Sequence, residues 1–164
     1  MVDILVFIRE KLEGYMKCDV LEMIKDTVNP VTSYGGLNFP LALYLFSCMD
    51  YLGFLTSKDQ FCASGDTQKR ILSYIVMFFP TTAQEEIKPF EKYLIDFFRH
   101  GLTHEFFPKA FSGISKNDGN IFQKSNNPSA LVLNSKALAK YFLESLDTLI
   151  SEIKASTEII ERIE

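Results

Sequence analysis

The sequence predicts a mainly α-helical protein, a bundle of about five helices with a small β-hairpin insertion near residues 111–133. Apolar residues recur every three or four positions through most of the chain, which is the spacing of an amphipathic helix. Between Ala110 and Asn134 this period is lost, and a tight-turn sequence appears at residues 117–120. The length of 164 residues fits one domain, so we assign residues 1–164 to a single helical domain.

Helix start and stop signals divide the chain into its elements. Pro30 and Pro80 each stop a helix, while Pro40 suits the first turn of one. Asp66 or Thr67 is placed to cap the third helix after a polar loop. The expected helices therefore cover residues 2–28, 40–55, 67–79, 81–98 and 135–160.

The last two helices show the clearest apolar faces. These faces consist of Ile87, Phe90, Leu94, Phe97 and Phe98 on the fourth helix, and of Leu138, Phe142, Leu146, Leu149, Ile153 and Ile160 on the last. One such face predicts burial against the rest of the bundle. The fourth helix leads directly into Arg99, so it presents the residues that follow from a rigid base.

The insertion is expected to form a few short strands. Residues 111–115 and 121–123 flank the turn, and flanks of this kind pair as a hairpin. Residues 131–133 would add a third strand. Asn134 or Ser135 then caps the last helix.

The charge balance restricts any nucleic-acid role to a local site. The chain carries 17 Lys and Arg against 21 Asp and Glu, a formal net charge of −4. A global basic field is therefore excluded.

Cysteine usage and apolar patterning indicate a cytoplasmic protein. Cys18, Cys48 and Cys62 are odd in number and match no metal-ligand spacing, which favours a reducing compartment. The first residues lack the pattern of a signal peptide. The apolar stretch Leu37–Leu55 contains Asp50, and a charge is costly in lipid, so we interpret it as a core helix rather than a membrane span.

Residues able to handle phosphate or protons cluster at residues 99–104. His100 and His104 are the only histidines of the chain, and both lie within five residues of Arg99. An arginine binds phosphate oxygens in a bidentate way, and an imidazole transfers protons near pH 7. Arg99, His104 and His100 are therefore the candidate catalytic residues.

Two simpler interpretations of this segment stay open. In one, it is an ordinary helix end, where Arg and His side chains interact with the last carbonyl groups and the helix dipole. In the other, Asp96, His100 and His104 hold a metal ion, because residues spaced four apart share one stripe of an unbroken helix. That set lacks a further histidine, and we expect no metal or other cofactor.

The triplet at residues 99–101 is also similar to the Arg-His-Gly signature of the histidine phosphatases. There the triplet follows the first strand of an α/β fold, and a second histidine comes much later. Here the triplet follows a helix, and no histidine comes after His104.

Residues 99–104 more fully resemble the Arg-polar-x-x-x-His motif of the HEPN superfamily of helical domains. Arg99 matches the arginine of that motif, His100 its polar residue and His104 its histidine. The motif follows a long amphipathic helix in an all-α chain of suitable size. Outside these six residues the resemblance covers only the general helical plan.

The resemblance implies two classes of function. HEPN domains are helical bundles that commonly dimerise, and many are metal-independent endoribonucleases of toxin–antitoxin and other defence systems. Others are inert and serve as dimerisation or partner-binding modules. In the active members the site would consist of Arg99 and His104, often paired across a dimer interface. The implied partners are RNA, a second copy of the chain, and an antitoxin or another protein.

The helix geometry bears on how such a site would assemble. Residues five apart on an ideal α-helix lie about 140° apart around its axis, so Arg99 and His104 of one chain do not converge on one phosphate. A break at Gly101, or a second subunit that shares the site, would bring them together. His100 is expected to orient His104 or to contact the substrate backbone.

Two acidic residues are candidates for supporting roles. Asp96 precedes Arg99 by three residues and His100 by four, a spacing at which it holds either, or forms an ordinary surface ion pair. Asp50 lies in an apolar helix, and a buried carboxylate there needs a partner such as Arg99 or His104. The alternative is that Asp50 lies on an exposed polar face.

Lys109 is a candidate binding residue for the RNA backbone, because lysines near a phosphate site widen its basic patch. Lys116 and Lys124 would extend the same patch. The alternative is that these lysines only solvate the surface.

Overall fold

The computed structural model describes residues 3–25, 36–57, 66–105, 107–110, 112–124 and 130–155. Within these residues the chain forms five helices and three short strands. The helices are α1 (Ile4–Val6, Phe7–Lys17 and Cys18–Met23), α2 (Asn38–Thr56), α3 (Thr67–Phe78), α4 (Thr81–Ile87, Lys88–Phe90, Glu91–Tyr93, Leu94–Arg99 and His100–His104) and α5 (Ser135–Ala155). The strands are β1 (Gly113–Ser115), β2 (Phe122–Lys124) and β3 (Leu131–Asn134). The prediction of a mainly α-helical fold with a small β insertion is confirmed.

The helix boundaries follow the proline and capping signals. Pro40 lies in the first turn of α2, α3 begins at Thr67, and α4 begins directly after Pro80. The side chain of Asn134 caps α5 by accepting a hydrogen bond from the N–H of Ala137 (3.3 Å). Several predicted features lie outside the described residues: the end of the first helix at residues 26–28, the loop at residues 58–65 and Ile160.

Parts of α1 and α4 are π-helical, which means that their backbone hydrogen bonds join residues five apart. These π-helical turns cover Phe7–Lys17 in α1 and Leu94–Arg99 in α4. The N–H of His100 closes one of them by donating to the carbonyl oxygen of Ile95. π-Helical turns are rare in proteins, and many of those known lie at functional sites. The winding of α4 thus changes between Arg99 and His100, within the motif at residues 99–104.

The core lies between the helices and one face of the sheet. The apolar faces predicted for α4 and α5 are found there: Ile87, Leu94, Phe98, Leu138, Phe142, Leu146, Leu149 and Ile153 are buried. Phe90 and Phe97 pack against this core while remaining partly exposed. The pattern of three- and four-residue steps therefore predicted the inward faces correctly.

α2 is the central apolar helix and packs against both α3 and α5. Among the described residues it is the one helix long and apolar enough to cross a membrane, judged by length and composition alone. Half of its most apolar window is buried inside the protein (50%).

The three strands form one sheet in the order β1-β3-β2. β3 pairs in parallel with β1 and antiparallel with β2. The predicted hairpin between residues 111–115 and 121–123 is therefore wrong, because β3 lies between these strands. At the exit of the turn, the N–H of Ile121 donates to Glu86 in α4 (2.8 Å) and its carbonyl oxygen accepts from Asn134 (2.8 Å). These bonds tie β2 to α4 and β3 rather than to β1.

Lys116, which follows β1, has a structural position rather than the surface position predicted for it. The residue is buried, and its Nζ donates to the carbonyl oxygens of Met23 (3.3 Å) and Lys25 (2.6 Å). A lysine in this position satisfies carbonyl groups left unpaired at a helix C-terminus. Lys116 therefore anchors the sheet to the end of α1, and the prediction that it widens a basic patch is wrong.

Candidate functional site

Residues 99–104 form the C-terminal end of α4, and the buried face of this helix fixes their orientation. Phe98 and Leu102, which flank the Arg–His pair, are buried in the core. Arg99 and His100 are half-buried, while His104 is exposed. The three candidate side chains therefore lie at the surface on a helix that is anchored from beneath.

Gly101 allows the chain after α4 to cross the helix at backbone contact distance. A Cβ atom at this position would lie 2.5 Å from the carbonyl oxygen of Phe107 and 3.0 Å from the backbone nitrogen of Lys109. The N–H of Lys109 also donates to the carbonyl oxygen of Phe97 (3.0 Å). The structure thus has the close approach that glycine permits. It has no helix break at Gly101, because α4 continues to His104.

Arg99 is held by neutral groups. Its Nη1 donates to Nδ1 of His100 (3.1 Å), and its Nη2 donates to Oγ1 of Thr67 at the start of α3 (3.3 Å). Among the ion pairs between described residues, none includes Arg99. The guanidinium therefore keeps its positive charge available for an anion.

The contact with Arg99 determines the protonation of His100. A guanidinium has donors only, so Nδ1 of His100 must accept, and the proton of the neutral ring lies on Nε2. The pKa of His100 is lowered, first because burial removes water from the ring and next because of the positive charge of Arg99. The charge of Asp96 opposes this shift. His100 is therefore a neutral imidazole at pH 7.

His104 stacks on His100. The two ring centroids are 5.9 Å apart, and the ring planes meet at 15°. His100 thus contacts both Arg99 and His104, whereas none of the described contacts joins Arg99 directly to His104. Within one chain His100 is therefore the residue that links the two ends of the motif.

The partner of Asp50 differs from the one expected. Its Oδ1 accepts a hydrogen bond from Nε of Arg70 in α3 (2.5 Å), and the two side chains form an ion pair. The partner of Asp50 is thus Arg70 and not Arg99 or His104. Arg70 in turn donates from Nη2 to Oγ1 of Thr67 (3.0 Å). Asp50 therefore reaches the site indirectly, through Arg70 and Thr67.

Thr67 and Arg70 are members of the site that the sequence did not predict. The sequence predicts Thr67 only as a candidate helix cap, and no side-chain hydrogen bond caps α3. A signal was present, because Asp50 required a cationic partner and the chain has only four arginines, at positions 9, 70, 99 and 162. The fold was needed to select Arg70 among them.

Asp96 and Lys109 lie beside the motif without joining it. Asp96 is half-buried and belongs to none of the ion pairs between described residues, so it acts on His100 only through its charge. Lys109 pairs with Glu105 (3.1 Å), which offsets its charge locally. None of the contacts between described residues joins Asp96, predicted to support the motif, or Lys109, predicted to bind RNA, to Arg99 or His104.

The metal interpretation of Asp96, His100 and His104 finds no support in the arrangement of these residues. In the part of the chain that the structure describes, no three His, Cys, Asp or Glu side chains are grouped as metal ligands. The two histidine rings stack on each other, and their nitrogens do not converge with the carboxylate on a common point.

No protein-family model matches the chain, and comparison with curated proteins and with solved structures finds no match either. The resemblance to the HEPN superfamily therefore rests on residues 99–104 and on the helical plan. The site itself combines a cation that has no carboxylate partner among the described residues, a neutral imidazole and an exposed imidazole. Such a set is suited to binding a phosphate group and moving protons beside it.

Proposed function

We propose that this protein is a metal-independent endoribonuclease of the HEPN type, acting as a toxin or defence effector in the cytoplasm. The observation that carries the proposal is the state of Arg99, which is held in place by Thr67 and His100 but paired with no carboxylate among the described residues. A purely structural arginine at this half-buried position is expected to have a carboxylate partner, as Arg70 has in Asp50.

The proposed reaction is transfer of an RNA phosphodiester to its own 2′-oxygen. The imidazole of His104 takes the proton of the 2′-OH, and the oxygen forms a bond to phosphorus. The bond from phosphorus to the 5′-oxygen breaks, and that oxygen receives a proton from a second acid. The products are a 2′,3′-cyclic phosphate end and a free 5′-OH end.

Arg99 has the electrostatic role in this mechanism. Charge builds up on the phosphate oxygens in the transition state, and a guanidinium placed there stabilises it. His100, neutral and stacked on His104, has a positioning role between the two catalytic side chains. The chain then needs no metal ion for the step.

A homodimer completes the proposed site. Within one chain Arg99 and His104 have no contact with each other, while His104 is exposed and able to face a second subunit. A pair of chains would form two such sites, each from Arg99 of one subunit and His104 of the other, and a water molecule would be the acid that protonates the 5′-oxygen. An antitoxin would act by covering these sites.

The proposal is tested by incubating the purified protein with mixed single-stranded RNA in EDTA. We expect cleavage that leaves cyclic phosphate ends, and its loss in His104→Ala and Arg99→Ala. Arg9→Ala is the matched control, since Arg9 is an exposed arginine on α1. Cleavage that requires a metal ion, or that survives both motif substitutions, would contradict the proposal.

A second candidate function is a non-catalytic partner-binding module. The observation that favours it is the exposure of large apolar side chains on the outer face of α2, where Tyr51 and Phe54 are 44% and 50% exposed. Exposed aromatic residues of this kind are enriched in protein interfaces. An inactive protein that still binds a helical partner through α2 would support this candidate.

A further inference from the structure

Thr67 joins two arginines at the edge of the site. Its Oγ1 accepts from Nη2 of Arg70 (3.0 Å) and from Nη2 of Arg99 (3.3 Å). A hydroxyl oxygen has two lone pairs, so both are used by guanidinium groups. One neutral side chain of α3 thereby holds two cations of like charge side by side.

Arg70 is itself fixed from α2. Its Nε pairs with Asp50, and the two side chains are only 14% and 25% exposed. One helical turn further along α2, a Cβ atom at Gly53 would overlap the carbonyl oxygen of Arg70. The backbones of α2 and α3 are therefore in direct contact here, and Arg70 has little freedom to move away from Asp50.

Because Asp50 pairs with Arg70, the carboxylate of Asp50 does not neutralise the charge of Arg99. Asp50 offers its charge to Arg70, so the carboxylate nearest to Thr67 in this network is already occupied. Within the part of the chain that the structure describes, the partners of Arg99 are a hydroxyl and an imidazole. It is thus ordered at the cost of side-chain freedom but keeps its full charge for a ligand.

We infer that Thr67 is a positioning residue for Arg99, held in turn by the Asp50–Arg70 pair, so that three helices set the direction of one guanidinium. This inference rests on the proposed function for its consequence in catalysis. The hydrogen bonds themselves do not depend on that function, which allows the two to be tested separately.

The first test compares Thr67→Val, which removes the hydroxyl at nearly constant shape, with Thr67→Ser, which keeps it. We expect Thr67→Val to lower kcat on a short single-stranded RNA about tenfold, and Thr67→Ser to remain within about twofold of the wild type. Thr148→Val on the exposed face of α5 is the matched control. Equal kcat for Thr67→Val and the wild type would overturn the inference while leaving the proposed function intact.

The second test needs no activity. The side-chain Nε–H of Arg99 is followed by nuclear magnetic resonance relaxation, with the exposed Arg9 of the same protein as the mobile reference. We expect Arg99 to be ordered in the wild type and in Thr67→Ser, and to become as mobile as Arg9 in Thr67→Val. An Arg99 that is equally ordered in Thr67→Val would overturn the inference, even for a protein without ribonuclease activity.

Discussion

Arg99 donates from Nη1 to Nδ1 of His100 across 3.1 Å, so the cation of the motif and its polar residue share one hydrogen bond. This bond can form only while Nδ1 of His100 carries no proton. It therefore couples the protonation of the imidazole to the position of the guanidinium. Protonation of His100 would release Arg99 and leave two positive charges side by side.

The first prediction concerns the titration of His100. We expect its midpoint, followed by nuclear magnetic resonance of the ring protons, to lie below the ordinary value of 6.5. Arg99→Gln should raise this pKa without restoring it fully, because desolvation is the larger cause of the shift. Arg9→Gln on α1 serves as the control and should leave the titration unchanged. A pKa at or above 6.5 in the wild type would contradict the neutral bridging role of His100.

The lowered pKa of His100 also makes the stability of the protein depend on pH. With a lowered pKa in the folded state, the unfolded state binds more protons between the two pKa values. The contribution of His100 to stability is therefore fully present above the unfolded pKa of about 6.5 and decreases as the pH falls through the folded pKa. Urea unfolding between pH 5 and 7 measures this trend, and Arg99→Gln should flatten it.

A third prediction tests the crossing at Gly101. Gly101→Ala places a Cβ atom against the carbonyl oxygen of Phe107, and backbone atoms cannot yield as a flexible side chain does. We expect a loss of about 2 kcal/mol in the free energy of unfolding, or about 5 °C in Tm. In the control Gly113→Ala, the added atom meets a side-chain methyl group of Val132 at 3.7 Å, an ordinary contact. Equal Tm values for the two variants would show that the crossing is not close.

Much of the fold and part of the site were predictable from the sequence. Helical periodicity and the prolines predicted the five helices, because these signals act locally along the chain. The pairing of β1 and β2 with β3 was not predictable from the turn at residues 117–120. It depends on two hydrogen bonds of Ile121, one to Glu86 in α4 and one to Asn134 in β3. Strand order is set by such distant partners.

The same division holds in the site. Proximity in sequence was enough to group Arg99 with His100 and His104 on one helix end. Besides the adjacent His100, Arg99 is held by Thr67 of α3, 32 positions away along the chain, and Thr67 is linked through Arg70 to Asp50 of α2. No periodicity or spacing connects Asp50, Thr67 and Arg99, since helix packing alone brings them together.

A fourth prediction tests the shared site between two subunits. Sedimentation of the protein at roughly tens of micromolar should show a dimer. When Arg99→Ala and His104→Ala subunits are exchanged into mixed dimers, one composite site regains an intact arginine and an intact histidine. About a quarter of the wild-type ribonuclease activity should then return, since half of the dimers are mixed and each has one of two sites. A monomer, or mixed dimers without activity, would contradict a site formed between chains.

The cleavage rate of a defined single-stranded RNA in EDTA, compared between the wild type, Arg99→Ala and His104→Ala, tests most directly whether Arg99 and His104 form a ribonuclease site. Circular dichroism would verify that each variant keeps its helices. We expect cyclic phosphate ends from the wild type and a loss of cleavage rate of about a hundredfold or more in each variant. A purified, folded wild-type dimer that leaves the RNA intact, or variants that cleave as fast as the wild type, would contradict the claim that Arg99 and His104 form a ribonuclease site.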